Sequence, residues 1–404
     1  MQAASAGAQA RGVFIAALGA ELVSYDFDAA SGALTRRGSV RAAAPVQYLW
    51  QHRDLSCVYV GSSNGGPDGN GGMARATLDD LHALEAFRLT PAGDLLAHGA
   101  PVTLRQRLIH LTLDAESRHV LVVYPRPPAV SVHRIAADGS LGPELAQDAA
   151  HDLGVYPHQI RVTPAGRTAI VVARGHHHRD GRADTPGALR VFDYRDGVLT
   201  PRTVVAPDGG FGFGPRHIDF HPAGPWLLAS LEPQNALVVF PFDGASPAAL
   251  PVSRVDILRD GGHVHPHQMA GTVHAHPNGR WVYGCNRVNS LDESGVSRPG
   301  EDAMVACEFD PATGALRVLQ VLDTTGRHPR TFSIDPSGRW LVAANKSPVP
   351  QADGSVVPAS IDVFAIGADG RLTLAHTLMP EMAAGALMFW AGFVTLPTQL
   401  RAHA

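Results

Sequence analysis

Short apolar segments separated by turn signals recur along the whole chain. One phrase joins a Pro-x-Gly turn, an aromatic or basic residue and an apolar run as long as a β-strand. Its clear copies are TPAGRTAIVVA at Thr163–Ala173, HPAGPWLLAS at His221–Ser230, HPNGRWVYGCN at His276–Asn286 and DPSGRWLVAAN at Asp335–Asn345. Their prolines lie 58, 55 and 59 residues apart, and weaker copies begin at His52 and Leu113. This spacing predicts a repeated structural unit of about 50–60 residues.

A strand, a turn and another strand follow each copy of the phrase. LRVFDYRDGVLT at Leu189–Thr200 and IDVFAIGADGRLT at Ile361–Thr373 are examples. Their Asp-Gly pairs are hairpin turns, because glycine tolerates the positive φ that such turns need. Apolar and polar residues alternate on either side, as they do in strands. Four strands per unit at this period predict an all-β fold, a seven-bladed β-propeller with four-stranded antiparallel blades around a central channel.

A single repeat cannot bury both faces of its sheet, so the units must stack around one axis. We therefore expect residues 1–404 to form a single propeller domain. Residues 379–404 would then be a C-terminal closing segment or a tail. The apolar stretch Leu387–Leu396 could return as a strand beside the N-terminal strand GVFIAAL, which begins at Gly12. Alternatively, it could remain a loosely packed tail.

Four loops are longer than a hairpin requires. They span residues 64–73, 175–187, 288–302 and 346–358, and each follows the apolar strand of the repeated phrase. Equivalent places in a repeat lie on one face of the assembly. Extra loops on one face usually form the binding surface.

Composition excludes several classes of function. Lys plus Arg number 33 and Asp plus Glu 37, so the net charge of -4 argues against a nucleic-acid partner. No run of about 18 apolar residues is present to cross a membrane. The three cysteines lack disulfide or C-x-x-C spacing, and no secretory signal is recognisable. We expect a cytoplasmic protein that acts on a small molecule, and we predict no oligomeric state.

Polar residues that could do chemistry cluster at the ends of predicted strands. Arg216 and His217 follow the glycine-rich GFGFGP segment and precede a strand, and Glu232 follows the next strand. His158 holds the corresponding place in the preceding unit, and Arg287 follows a strand in the next unit. Both ends of a blade's inner strands can reach the channel. The residues could form an acid–base site, or they could be ion pairs that line the channel.

Further candidates lie near the same strand ends. His265 and His267 in GGHVHPHQ could line the mouth of the site or bind a metal, as imidazoles do. No carboxylate or cysteine nearby completes a ligand set, so we expect neither a metal nor a cofactor. Arg330 and Lys346 in the last repeat are candidates for additional cations. Together with His217, these four residues are the predicted substrate-binding residues.

Several of these segments resemble the lactonase family of seven-bladed β-propellers, which includes bacterial 6-phosphogluconolactonase and fungal carboxymuconate cyclase. The most specific segment is GPRH at Gly214–His217, followed by a strand and Glu232. HPRTFSIDPSGRWLVAAN at His328–Asn345 looks like the final blade of the family. The resemblance covers roughly residues 12–378, and residues 379–404 show no family pattern.

The resemblance implies a metal-independent active site. It places four residues on the family's catalytic His, Arg, Glu and Arg: His158, Arg216, Glu232 and Arg287. The implied activity is hydrolysis of a sugar-acid lactone such as 6-phosphogluconolactone. Glu232 or His158 would be the general base that activates water. Arg216 and Arg287 would bind a carboxylate or phosphate, or stabilise the oxyanion.

Two other functions remain open at this point. The same four residues could serve a 3-carboxy-cis,cis-muconate cycloisomerase, in which a carboxylate adds to an alkene and closes a lactone. A non-enzymatic propeller could instead bind a partner on the face that carries the long loops. This last hypothesis predicts that Arg216, Glu232 and Arg287 do not share a pocket.

Overall fold

A computed structural model describes residues 12–54, 57–65, 80–148, 151–177, 183–222, 224–261, 264–288, 291 and 295–396. The strands of these residues form seven antiparallel sheets arranged as the blades of a propeller, which confirms the predicted fold class. None of the described helices is long and apolar enough to cross a membrane.

The strands follow one another blade by blade. Blade 1 contains β1 Gly12–Leu18, β2 Glu21–Phe27 and β3 Leu34–Arg41, and blade 2 contains β4 Val46–Gln51, β5 Cys57–Ser63, β6 His82–Leu89 and β7 Leu95–Ala97, with β8 Val102–Thr103 beside β6. Blade 3 contains β9 His110–Leu113, β10 His119–Pro125, β11 Pro128–Ile135 and β12 Leu141–Leu145, and blade 4 contains β13 Pro157–Val162, β14 Thr168–Ala173, β15 Ala188–Arg195 and β16 Val198–Val205.

The second half of the chain completes the ring. A short 3-10 turn at Pro207–Gly210 leads into blade 5, which contains β17 Pro215–Phe220, β18 Trp226–Leu231, β19 Ala236–Pro241 and β20 Ser253–Asp256. Blade 6 contains β21 Gln268–Ala275, β22 Trp281–Val288, β23 Ala303–Asp310 and β24 Ala315–Asp323. Blade 7 contains β25 Pro329–Ile334, β26 Trp340–Asn345, β29 Ser360–Ile366 and β30 Leu372–Leu378, with a small hairpin of β27 Val349–Pro350 and β28 Val356–Val357. The last strand is β31 Ala391–Thr395.

Strand β31 pairs antiparallel with β1, from Ala391 opposite Ala16 to Thr395 opposite Gly12. The innermost strand of blade 1 therefore comes from the C-terminal segment, and its other strands come from the N-terminal one. The side chain of Gln51 on the neighbouring blade makes two hydrogen bonds with the Thr395 backbone, at 2.6 and 2.9 Å. Residues 397–404 lie outside the described residues.

Neighbouring blades lock together through a tryptophan that recurs in the repeated phrase. The indole of Trp226 lies against Gly314, that of Trp281 against Gly370, and that of Trp340 against Gly32. Each glycine belongs to a hairpin of the next blade and has a positive φ. A Cβ atom there would lie within 2.6 Å of the indole, so glycine both forms the turn and admits the ring.

The long loops leave from equivalent places. They follow β5, β14, β22 and β26, the second strands of blades 2, 4, 6 and 7. Because these strands are equivalent in the repeat, the loops emerge on one face of the ring. Parts of the first three loops lie outside the described residues.

A charge inserted into β31 tests its contribution to closure. Val394 is 1% exposed and packs with Val13 and Leu22 in a core shared with blade 2. We expect Val394→Asp to lower the free energy of unfolding by more than about 4 kcal/mol, because it buries an unpaired carboxylate. Leu374→Asp, on the exposed outer strand β30, should change it by less than about 0.5 kcal/mol. Denaturant unfolding measures both, and a wild-type midpoint for Val394→Asp would show that β31 does not stabilise the ring.

Candidate active site

A β-bulge near the start of the innermost strand places the first set of side chains in the site. In blades 2, 4, 5 and 7 the register with the second strand skips one residue, which is Gln47, His158, Arg216 and Arg330 respectively. Blade 6 skips Gly271 together with its neighbour. A bulge leaves its extra residue outside the ladder and redirects the side chain. We call this place the bulge position.

A second position also contributes to the site. It is the residue that follows the paired part of the second strand, where pairing with the innermost strand ends. We call it the exit position. Its backbone N–H donates to the carbonyl of the residue before the innermost strand, for Arg174 to Tyr156 at 3.1 Å and for Lys346 to His328 at 3.1 Å. Glu232 donates in the same way. In blade 6 Arg287 holds the equivalent place, because Ala270, which precedes the bulge, lies opposite Asn286. The ladder of this blade continues beyond that point, with Met269 opposite Arg287.

Glu232 is the centre of the cluster that these two positions create. Its Oε1 lies 2.9 Å from Nη2 of Arg287, and its Oε2 lies 3.0 Å from Nη1 of Arg174. Nε of Arg216 lies 3.8 Å from Oε1. Burial alone would raise the pKa of Glu232, but the guanidiniums of Arg174, Arg287 and Arg216 lower it to about 2. The carboxylate is therefore ionised throughout the neutral range.

Arg287 is held rigidly on its other sides. Its Nη1 donates to the carbonyl of Ala270 at 2.6 Å, and its Nε donates to Nε2 of His328 at 3.1 Å. Nδ1 of His328 in turn donates to the carbonyl of Val288 at 3.0 Å. This arrangement requires a neutral imidazole, and burial lowers the pKa of His328 accordingly. Gly271 makes the room, because a Cβ there would lie 3.1 Å from Nη1 of Arg287.

Arg216 and His158 carry buried polar atoms that the described residues leave unsatisfied. Nε and Nη1 of Arg216 and Nδ1 of His158 have no hydrogen-bond partner in this part of the chain. Burial, followed by the charge of Arg287, lowers the pKa of Arg216 to about 10, so the guanidinium stays charged at neutral pH. Burial and the nearby arginines lower the pKa of His158 well below its usual value, so its imidazole is neutral. Unsatisfied buried donors are costly and point to a bound partner.

Arg330 and Lys346 add positive charge to the cluster. Neither side chain forms a hydrogen bond or an ion pair with the residues that the structure describes. The guanidinium of Arg330 lies over the ring of Phe389, 4.4 Å from its centroid. Burial, then Arg330 and Arg287, lowers the pKa of Lys346 to about 7. Arg174, Arg216 and Arg287 lie around the carboxylate of Glu232, Arg330 interacts electrostatically with the same carboxylate, and Lys346 interacts with that of Asp302. These five basic side chains outnumber the two carboxylates, and such a site attracts an anion.

The other predicted substrate-binding residues are placed differently. His217 is buried deeper in the channel, with its ring 5.3 Å from that of His158 and 6.1 Å from that of His110. His265 and His267 are half-buried in the segment that precedes β21. The carbonyl of His265 accepts a hydrogen bond from the Gln268 backbone at 3.1 Å. Substrate binding by these three histidines stays a prediction.

Sequence reasoning missed Arg174 and Phe389. Arg174 could have been found, because it follows the apolar strand of its repeat just as Glu232 follows its own. The cluster of Arg216, Glu232 and Arg287 is contrary to what the scaffold hypothesis predicts. No group of three His, Cys, Asp or Glu side chains in the described ranges could hold a metal ion.

A cavity of about 340 Å³ opens elsewhere on the ring, and its lining residues include Trp50, Arg161 and Phe220. The charge of Arg161 is already engaged there. Its Nη1 lies 3.3 Å from Oδ1 of Asp219, and its guanidinium stacks on both aromatic rings. In the Glu232 cluster, by contrast, Arg330 and Lys346 form no ion pair with the residues that the structure describes, so we assign the chemistry to that cluster.

Comparisons with known proteins show which family the chain is similar to. A family model described as lactonase, 7-bladed beta-propeller, matches residues 12–349. The 6-phosphogluconolactonase of Bacillus subtilis is 25% identical over 80% of this chain and 84% of its own length. The 6-phosphogluconolactonase of Erwinia tasmaniensis is 26% identical over 84% of this chain and 86% of its own length. The solved periplasmic gluconolactonase of Pseudomonas aeruginosa is similar in fold, with a TM-score of 0.68 and 21% identity over 96% of this chain and 99% of that one.

Removing the Glu232 charge tests the electrostatics of the cluster. Glu232→Gln leaves buried guanidiniums without their counter-charge, so we expect the free energy of unfolding at pH 7 to fall by about 3 kcal/mol. The lowered pKa of Glu232 means that its ion pairs stabilise the fold above the unfolded pKa of about 4.3. That contribution is lost as the pH falls toward 2. Urea unfolding from pH 7 downward should show the difference between variant and wild type shrinking.

Glu308→Gln is the matched control, because its ion pair with Arg317 is exposed. We expect it to change the free energy of unfolding by less than about 1 kcal/mol at every pH. Equal stability of Glu232→Gln and wild type at pH 7 would contradict the assignment of Glu232 as the counter-charge.

Proposed function

The chain belongs to the family of seven-bladed β-propeller lactonases, and we propose that it hydrolyses the lactone of a phosphorylated sugar acid, 6-phosphogluconolactone. The observation that supports this substrate is the pair Arg330 and Lys346, whose side chains form no ion pair with the described part of the chain, together with the buried donors of Arg216. Arg330 and Lys346 suit the phosphate, and the donors of Arg216 suit the oxygen of the reacting carbonyl. The names of the curated relatives point to the same substrate.

His158 is the better candidate for the general base. Both oxygens of Glu232 are engaged by arginines, at 2.9 and 3.0 Å, whereas a general base needs an atom that can accept a proton from water. Nδ1 of His158 is unpartnered among the described residues and belongs to a neutral imidazole. In this proposal it accepts a proton from water while the water oxygen attacks the lactone carbonyl.

Arg216 would stabilise the oxyanion of the tetrahedral intermediate. Its Nε and Nη1 are buried donors that lack a hydrogen-bond partner among the described residues, so they are available to an oxygen that gains charge during the reaction. Collapse of the intermediate breaks the ring C–O bond, and His158 returns its proton to the departing alkoxide. Glu232 holds Arg174, Arg216 and Arg287 in place rather than reacting itself.

The activity can be tested with a panel of lactones. We expect the protein to hydrolyse 6-phosphogluconolactone faster than gluconolactone in a pH-stat assay, because only the first has a phosphate for Arg330 and Lys346. EDTA should not change the rate. Turnover of a carboxymuconate in place of both lactones would favour the cycloisomerase. Inactivity on every lactone would contradict the proposal. The cytoplasmic location stays a prediction.

Variants at His158 and Arg216 separate the two proposed roles. His158→Ala should lower kcat by about 10²–10⁴-fold with little change in KM, because it removes the proton acceptor. Arg216→Ala should lower kcat by at least about 10²-fold, because it removes an oxyanion donor. His376→Ala, on the exposed outer strand β30, is the matched control and should leave kcat unchanged. Wild-type kcat in His158→Ala would contradict its role as the base.

The pH dependence of binding tests Lys346. Its pKa of about 7 means that the ammonium is present below neutral pH and is lost above it. We expect the KM for 6-phosphogluconolactone to rise between pH 7 and pH 8, because the phosphate loses a cation. Lys346→Arg stays charged over this range and should give a flat KM profile. The same slope in both proteins would show that Lys346 does not bind the phosphate.

A further inference from the structure

The closing segment contributes its own residue to the bulge position. The residue that precedes the bulge position donates its N–H to the exit-position carbonyl of the blade before it, as Ala270 does to Glu232 at 2.8 Å. Met388 donates to Lys346 at 2.8 Å in the same way. Met388, which comes before β31, therefore holds the place of the residue that precedes the bulge, and Phe389 stands where other blades have Arg216 or Arg330.

The ring of Phe389 faces the arginines and not the apolar cores. Its two neighbours pack into cores on either side of blade 1, Met388 in one and Trp390 in the other. Phe389 is 6% exposed and belongs to neither core. Two guanidinium groups lie over the ring, with Cζ of Arg330 at 4.4 Å and Cζ of Arg107 at 5.9 Å from the ring centroid.

Arg107 is fixed from its other side. Its Nε and Nη2 both donate to Oε1 of Gln47, at 3.1 and 2.7 Å, and Gln47 occupies the bulge position of blade 2. The Phe389 ring thus contacts two guanidiniums. That of Arg107 is also held by Gln47, whereas the ring is the contact that orients that of Arg330. Attraction between a cation and an aromatic face is directional, so the ring favours one orientation of Arg330.

From these contacts we infer that Phe389 is a positioning residue, whose ring holds the Arg330 guanidinium toward the channel so that it can bind the phosphate of the substrate. The inference rests on the proposed function for the identity of the substrate. It does not need turnover for its test, because inorganic phosphate carries the same group. Preference for a phosphorylated lactone over its unphosphorylated form would then depend on a residue outside the matched family region, 12–349.

The test compares two phenylalanines of the same segment. Phe389→Leu keeps an apolar side chain but removes the aromatic face, and Phe389→Trp restores it. Phe393→Leu is the matched control, because that ring packs on Phe14 and Phe27 at 5.3 and 4.9 Å. Calorimetry measures the Kd for inorganic phosphate, and initial rates give kcat/KM for 6-phosphogluconolactone and gluconolactone. Thermal unfolding shows that each variant is folded.

We expect Phe389→Leu to weaken phosphate binding about ten-fold and to lower the ratio of the two kcat/KM values by a similar factor. Phe389→Trp should recover both. Phe393→Leu should lower the melting temperature and leave the Kd and the ratio unchanged. An unchanged Kd in Phe389→Leu, or an equal change in Phe393→Leu, would overturn the inference. A wild-type protein that binds phosphate but hydrolyses no lactone would overturn only the proposed function.

Discussion

The ion pairs of Glu232 are the interaction on which the site depends. Arg174, Arg216 and Arg287 come from three successive blades and would repel one another without the carboxylate between them. Buried charges of one sign are expensive, and a counter-charge in hydrogen-bond contact is the main way to keep them in place. Nε and Nη1 of Arg216 are buried beside the carboxylate and have no hydrogen-bond partner among the described residues. The ion pairs and these unsatisfied donors are therefore parts of the same arrangement.

The repeat explains why so much of the architecture could be predicted from the sequence. The Pro-x-Gly phrase marks one strand in each blade, and its spacing sets the number of blades. The same repeat positions hold the charged residues, so the repeat by itself places His158, Arg216, Glu232 and Arg287 at strand ends. Arg174 occupies an equivalent position at the end of its strand, so the repeat also predicts that it lies beside Glu232.

Other parts of the site depend on geometry that no short pattern reports. Bulges decide that Arg330 leaves the ladder and turns toward the channel, and a bulge is a shift of pairing between two strands rather than a motif in one. The place of Phe389 depends on a strand that pairs with the other end of the chain. The pH-dependent charge expected of Lys346 also comes from its surroundings, since burial and the cations next to it lower its pKa.

Closure by β31 has a consequence for how the protein is made. Strands β1 and β31 are far apart in the sequence, so they can pair only after all the strands between them have been synthesised. Until then, a nascent chain exposes β1 as an open sheet edge, the kind of edge that promotes aggregation. A ribosome that stops before residue 389 releases a product that has Arg330 but lacks the ring that faces it. On the proposed function, such a product would lack the residue that orients Arg330 toward the phosphate.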